Sequence, residues 1–437
     1  MKEAAARAAY GAALASLAPA YRLRLWWRGR AEPGYRESVD ERFGRYEAPA
    51  EPGALWLHAV SLGETKAAAA LIEALRAARP GLRLLLTHGT ATGRAAGAAL
   101  LRPGDCQAWL PYDTPAAVRR FFEHWRPAVG VLMETEVWPN LLRGAQAARV
   151  PVVLANARLS ERSLQRGTQF GLLLRPAFAA LTRALAQSPD DARRLAEAGV
   201  ARVDVMGNLK FDLAPDLALL ARGAHWARAS DRPIVLAAVT REGEEAALLR
   251  AWAALRAPRP RLAIVPRHPQ RFDEVARLVA ETGLTLSRRS AWAADLPDPE
   301  AQTDVWLGDS LGEMPAYYAA ARVALLGGSF EPLGGQNLIE AAACGCPLLM
   351  GPHTFNFGDA AEGSLAAGAS ERMADLTEAV ARAAALVDDV AACSAMARRA
   401  LSFAAAHRGA APRMAEAVLA EAGRAAPAVA AAPAVGP

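Results

Sequence analysis

The chain has 437 residues, 53% hydrophobic and 22% charged, with 50 Lys+Arg against 45 Asp+Glu and a formal net charge of +5. That length exceeds one ordinary core and predicts two or three domains, and the apolar content excludes a chain that is disordered throughout. The small positive charge favours anionic partners, but the arginines are scattered without the aromatic-interleaved stripe of a nucleic-acid-binding surface, so no nucleic acid is expected.

Residues 3–21 are Ala-rich and weakly apolar, and Arg22-Leu-Arg24-Leu-Trp26-Trp27-Arg28-Gly-Arg30 follows. Alanine contributes too little for a membrane-spanning helix, whereas arginines interleaved with tryptophans suit a membrane surface. A membrane-lying helix is the expectation. A cleaved signal ending at Ala18-Pro19-Ala20 and a helix packed on its own protein stay open as alternatives.

From residue 55 strands and helices alternate. Strands are predicted at Leu55–Val60, Leu82–Thr87, Val129–Met133, Val152–Ala155 and Val203–Met206, with helices at Thr65–Ala78, Thr92–Leu101, Leu141–Ala148 and Asp190–Ala198. The alternation stops over residues 212–232 and restarts with strands Ile234–Ala238, Leu262–Val265, Val305–Leu307, Val323–Leu326 and Leu348–Met350. Helices Glu242–Leu255 and Phe272–Thr282 lie between them, and long helical patterns fill residues 375–422. Continuous apolar strands separated by helices predict parallel sheets covered on both faces, hence an α/β chain of two Rossmann-like domains joined near residue 220. The four cysteines, Cys106, Cys344, Cys346 and Cys393, form no framework, which favours a reducing compartment. Cys344-Gly-Cys346 reads as two small residues beside a strand rather than a metal clip.

In such sheets ligands bind at the carboxyl ends of strands, here in the cleft expected between two facing domains. The polar motifs fall there: Ser61-Leu-Gly63-Glu64, Glu134-Thr135-Glu136-Val-Trp138-Pro139-Asn140, Asn156-Ala-Arg158 and Gly207-Asn208-Leu-Lys210, then Pro266-Arg267 and Leu311-Gly312-Glu313. Gly327-Gly328 and Gly334-Gly335-Gln336-Asn337 lead into a helix at Leu338. Glycines there let a ligand approach the backbone, and Glu340 is placed for the hydroxyls of a ribose; a helix cap formed by Asn337 and Glu340 fits the same residues. Lys2, Lys66 and Lys210 are the only lysines beside 47 arginines, which marks Lys210, after a strand, as a position wanting a compact ammonium.

Together with Pro111-Tyr112-Asp113-Thr114-Pro115, Leu159-Ser160, Phe211-Asp212 and Met350-Gly-Pro-His353-Thr-Phe355-Asn356-Phe357, these motifs resemble the Kdo (3-deoxy-D-manno-octulosonic acid) transferase family of lipopolysaccharide inner-core assembly, from about residue 20 to 420. The resemblance implies a GT-B type fold, two Rossmann-like domains facing a central cleft. It implies an inverting glycosyltransferase, without metal or cofactor, that moves Kdo from CMP-Kdo to a lipid A precursor of the lipid IVA type at the cytoplasmic face of the inner membrane. Glu64 matches the catalytic base, and a helix start there is expected to lower its pKa and keep it ionised. Glu134 and Lys210 match positions that steady the transition state. Pro266, Arg267, Leu311, Gly312, Glu313, Asn337, Leu338, Ile339 and Glu340 match the CMP-binding segments. Two donor-side segments depart from the family pattern, Val239-Thr240-Arg241 and Gln336-Asn337-Leu338. The organisation expected is a membrane-associating segment at 1–30, an acceptor domain at 31–220, a CMP-sugar-binding domain at 221–424 and a disordered tail at 425–437. The alternatives are a GT-B nucleotide-sugar 2-epimerase, which needs no membrane surface, and a degenerate transferase kept as a scaffold.

Overall fold

The computed structural model describes residues 1–293, 296 and 303–425. Its strands follow the apolar runs. The first unit holds β1 (Leu55–His58), β2 (Leu84–His88), β3 (Cys106–Trp109), β4 (Val129–Met133), β5 (Val152–Ala157), β6 (Arg183–Ala186) and β7 (Val203–Val205). They form one sheet in the order β3-β2-β1-β4-β5-β6-β7, and every pair is parallel. Alternate side chains feed opposite faces, as the pleat requires. Leu55 and Leu57 join Leu71, Leu75, Met414 and Val418 in one core, while Trp56 joins Leu85, Phe121, Leu132 and Leu154 in the other. Gly130 in β4 explains itself against Trp56, since a Cβ there would lie 2.6 Å from the indole ring.

The second unit holds β8 (Ile234–Thr240), β9 (Arg261–Pro266), β10 (Leu286–Arg288), β11 (Val305–Leu307), β12 (Val323–Leu326), β13 (Leu348–Met350) and β14 (Ser370–Arg372). Among the described residues these too form one parallel sheet, in the order β10-β11-β9-β8-β12-β13-β14. Strand, crossover helix and parallel strand repeat throughout both sheets, so each unit is Rossmann-like.

The division differs from the expected 31–220 and 221–424. One unit is Met1–Asp212 with Arg408–Pro437, and the other is Leu213–His407. The last helix, Ala410–Ala425, belongs to the first unit because Ala411, Met414 and Val418 complete the core under β1 and β4. Asp212 fixes its start, accepting from Ala411 N–H at 2.6 Å and from Gly409 N–H. Residues 426–437 of the expected tail lie outside the described residues.

Residues 1–30 carry a helix, Lys2–Arg28, and among the described residues no helix is long and apolar enough to cross a membrane. One stripe of it packs on its own unit. Gly11 sits against Pro115, Tyr21 stacks on Tyr112 at 4.5 Å, and Leu25 is buried. The opposite side exposes Leu23 and Trp27, and Leu17 and Trp26 are exposed as well.

Candidate active site

The carboxyl end of the first sheet gathers three carboxylates and a lysine. Ser61 caps the helix Leu62–Ala78, its hydroxyl accepting from Glu64 N–H at 3.4 Å. Glu64 reaches back: Oε2 accepts from Val60 N–H at 2.8 Å, and Oε1 accepts from the Ser61 hydroxyl at 3.2 Å. This reciprocal cap holds the carboxylate at the end of β1. The turn is anchored in its own right, because Val60 C=O accepts from Thr90 N–H and the Thr90 hydroxyl, each at 3.0 Å.

Burial raises the Glu64 carboxyl to about 7, with the nearby Glu134 and Glu136 carboxylates adding to the rise against the opposing pull of Val60 N–H. The expectation that the helix start would lower it is therefore overturned. One helix end contributes a few tenths of a kcal/mol to about 1, whereas desolvation and like charges shift a carboxyl by several times that.

Glu134 follows β4. Its backbone is left-handed, with φ +56°, and is pinned by Glu134 N–H to Ala155 C=O at 2.9 Å and Arg158 N–H to Glu134 C=O at 3.2 Å. A non-glycine residue in that region is held there by its surroundings. The Lys210 ammonium lies 3.6 Å from Glu134 Oε1, with both side chains largely buried. Lys210 rides on the 3-10 turn Leu209–Asp212, which Asn156 positions by accepting from Leu209 N–H at 3.0 Å. Asn208 adds a bond from Lys210 N–H at 3.0 Å. The structure thus brings Glu134 and Lys210 together at the carboxyl end of the first sheet, where Glu64 and Glu136 also lie; burial also pushes the Glu136 carboxyl up.

Sequence reasoning gave no role to three further residues here. Asn156 is buried and left-handed, with φ +51°, a conformation that asparagine tolerates. His58 and His88 are buried beneath the turn. Burial lowers His58 to about 3, so it is neutral, and its Nε2 stands 3.9 Å from Glu136 Oε2. The signal available was a histidine inside an apolar strand, which reads equally as core.

The other nine expected residues lie on the second unit, at the carboxyl ends of β9, β11 and β12. Pro266 closes β9 and is buried. Arg267 is exposed, its N–H bonded to Thr240 C=O at 2.9 Å. Leu311 is exposed and Gly312 has φ +83°. Glu313 is held by Arg222 and Arg289, each at 2.9 Å, and these cations help keep its carboxyl below the usual range although burial opposes them. Asn337 caps the short helix Leu338–Ala343, accepting from Ile339 N–H at 3.2 Å, so the capping reading holds for Asn337. Leu338 and Ile339 turn fully into the core, which leaves only their backbone to meet a ligand.

The departing segment near Val239 also has a structural account. Glu244 accepts from Gly328 N–H at 2.8 Å and Arg241 N–H at 2.9 Å, tying the turn after β8 to the glycine loop after β12. Gly327 must be glycine, because a Cβ would stand 2.3 Å from Val239 C=O. Cys346 is buried, in line with the reading of Cys344-Gly-Cys346 as packing.

A family model described as "3-Deoxy-D-manno-octulosonic-acid transferase (kdotransferase)" matches residues 37–213. The chain is 49% identical over 426 residues to the 3-deoxy-D-manno-octulosonic acid transferase of Bordetella pertussis, covering 94% of this chain and 98% of that one. It is 36% identical to the Haemophilus influenzae protein of the same name, covering 74% of this chain and 77% of that one. Among solved structures, a glycosyltransferase from Rickettsia africae matches with TM-score 0.58 at 11% identity, covering 86% of this chain and 99% of that one. The UDP-GlcNAc 2-epimerase of Neisseria meningitidis matches with TM-score 0.57 at 16% identity, covering 84% and 100%. At those identities the structures speak for the GT-B fold, which transferases and epimerases share, and the sequence relatives decide between them. Identity of this order over nearly the whole length places the chain in the 3-deoxy-D-manno-octulosonic acid transferase family of glycosyltransferases.

Proposed function

We propose that the chain transfers Kdo from CMP-Kdo to a sugar hydroxyl of a lipid A precursor of the lipid IVA type, with inversion and without a metal, at the cytoplasmic face of the inner membrane. The observation that carries this is Glu64: a carboxylate fixed by two hydrogen bonds at a strand end and raised to about 7, the range where a general base is most effective near neutrality. In the reaction the acceptor oxygen attacks the anomeric carbon of Kdo while Glu64 takes the hydroxyl proton. The bond from that carbon to the phosphate oxygen breaks, and CMP leaves with the electron pair. Glu134 orients the Lys210 ammonium, which offsets the developing negative charge. Arg267 faces the donor phosphate, a fixed cation in the place a divalent metal takes elsewhere, and the backbone around Gly312 and Asn337–Glu340 receives the nucleotide. The arginine- and tryptophan-bearing side of the first helix meets the membrane surface.

The test is incubation of the purified protein with CMP-Kdo and lipid IVA, read by mass spectrometry of the lipid. A gain of one or more Kdo masses, absent with Glu64→Gln, supports the reading; an unchanged acceptor with wild-type protein overturns it.

A further inference from the structure

Next to the carboxylate cluster, within the same unit, lies a cavity of about 430 Å³ that the proposed reaction does not use. Its wall is hydrocarbon from Val137, Leu159, Leu164, Leu174 and Phe178. Thr135, the neighbour of Glu134, lines it as well, so the cavity runs up to the segment that carries the proposed chemistry. Its volume lies within the usual range of small-molecule sites.

Three observations specify the occupant. The helix Glu161–Gln169 covers the cavity without one fully buried residue, and its Leu164 packs on the core beneath. The space is therefore left open by the fold rather than filled by it. Gly167 and Gly171 widen it: a Cβ at Gly171 would meet nothing within 4 Å, and one at Gly167 would meet only Leu174, at 3.8 Å. The exposed Arg175 also lines the site as its one cationic residue, beside Glu197, whose carboxylate is paired with Arg193 at 2.9 Å.

We propose that this cavity binds a hydrocarbon chain of the acceptor, one fatty acyl group of the glycolipid, and so holds its sugar hydroxyl beside Glu134 and Glu64. This rests on the lipid-acceptor reading above and adds the site that takes the lipid. The chain enters beneath the helix Glu161–Gln169, and its polar end stays by Arg175.

Gly167→Phe is the discriminating variant. It places a ring in the cavity, and replacing a helical glycine favours the helix, so the protein folds. The first measurement is displacement of 11-(dansylamino)undecanoate from the full-length protein by dodecanoate and tetradecanoate. We expect saturable binding, with tetradecanoate stronger by about fourfold per added methylene, and at least about tenfold weaker binding to Gly167→Phe. The second is steady-state transfer from CMP-Kdo to lipid IVA and to its fully deacylated form. Gly167→Phe raises KM for the acylated acceptor alone and leaves kcat unchanged. No saturable binding, equal binding by the variant, or an equal rise of KM on both acceptors overturns the proposal. So does a wild-type dimer that the substitution disperses, since that would assign the cavity to contact between copies. Loss of transfer to both acceptors by wild-type protein, with fatty-acid binding intact, overturns instead the glycosyl-transfer reading and leaves the cavity as an acyl-chain site.

Discussion

At Glu64 the carboxylate that caps a helix is also the group proposed to take a proton, and the two roles respond differently to substitution. Glutamine still accepts from Val60 N–H, so Glu64→Gln keeps the turn, yet it takes no proton. Turnover is expected to fall at least about 100-fold with the donor affinity unchanged, measured by initial rates and calorimetric titration of CMP. Because the carboxyl lies at about 7, kcat/KM should fall about tenfold per pH unit below that value and level off above it, and an acid limb near 4.5 would remove Glu64 as the base. The stability term has the opposite sense. A folded value above the unfolded one means that the folded state keeps a proton the unfolded chain releases, so this contribution is present below about 4.5 and is lost as pH rises through about 7. The thermal midpoint of Glu64→Gln should therefore gain on wild type between pH 5 and pH 8. Lys210→Arg tests geometry at constant charge. The ammonium sits 3.6 Å from Glu134, and a planar fork does not reproduce a point charge. The rate should drop at least about tenfold while stability changes by less than about 1 kcal/mol; a fully active variant would return the lysine to chance.

Helix ends decide much of the local structure. Ser61, Thr90, Thr114, Ser160 and Ser188 each accept from a backbone N–H in the first turn of their helix. Asp212 does the same across nearly two hundred residues of sequence, holding the start of the helix Ala410–Ala425 on the first unit. Asp212→Ala should lower stability by about 1–2 kcal/mol, the scale of a lost cap. Faster hydrogen exchange should appear over residues 410–425 and not over residues 376–406; unchanged exchange in the last helix would show that Met414 and Val418 hold it unaided. The same aspartate belongs to the Lys210 turn, so the substitution also reports whether the last helix steadies the site.

On the scale of the whole molecule, the first helix has two faces with different duties. Its inner stripe, with Gly11, Tyr21 and Leu25, is part of the fold, so removing residues 1–30 would strip a packed surface as well as any anchor. Its outer side keeps Leu23 66% and Trp27 67% exposed next to Arg24 and Arg30. Leu23→Ser with Trp27→Ser should release the protein from anionic vesicles in a flotation assay while the thermal midpoint stays within about 2 °C, because exposed side chains contribute little to folding. Flotation equal to wild type would remove this face as the membrane contact.

The sequence by itself determined the strands that are continuously apolar. Val129–Met133, Val305–Leu307 and Val323–Leu326 emerge with the expected bounds, because burial on both faces leaves no polar residue to blur them. It also determined that Glu64, Glu134 and Lys210 sit at strand ends. The strands it did not show are of two kinds: Cys106–Trp109, Leu286–Arg288 and Ser370–Arg372 are short or polar segments near sheet edges, and Arg183–Ala186 is alanine-rich. In both, pairing with a neighbouring strand rather than local hydrophobicity makes the strand. Only the tertiary structure decided that the last helix returns to the first unit, since an apolar helical stripe does not name the sheet it covers. Only it reversed the sign of the Glu64 shift, because desolvation and the charge of Glu134 and Glu136 depend on residues some seventy positions away that the fold alone brings near.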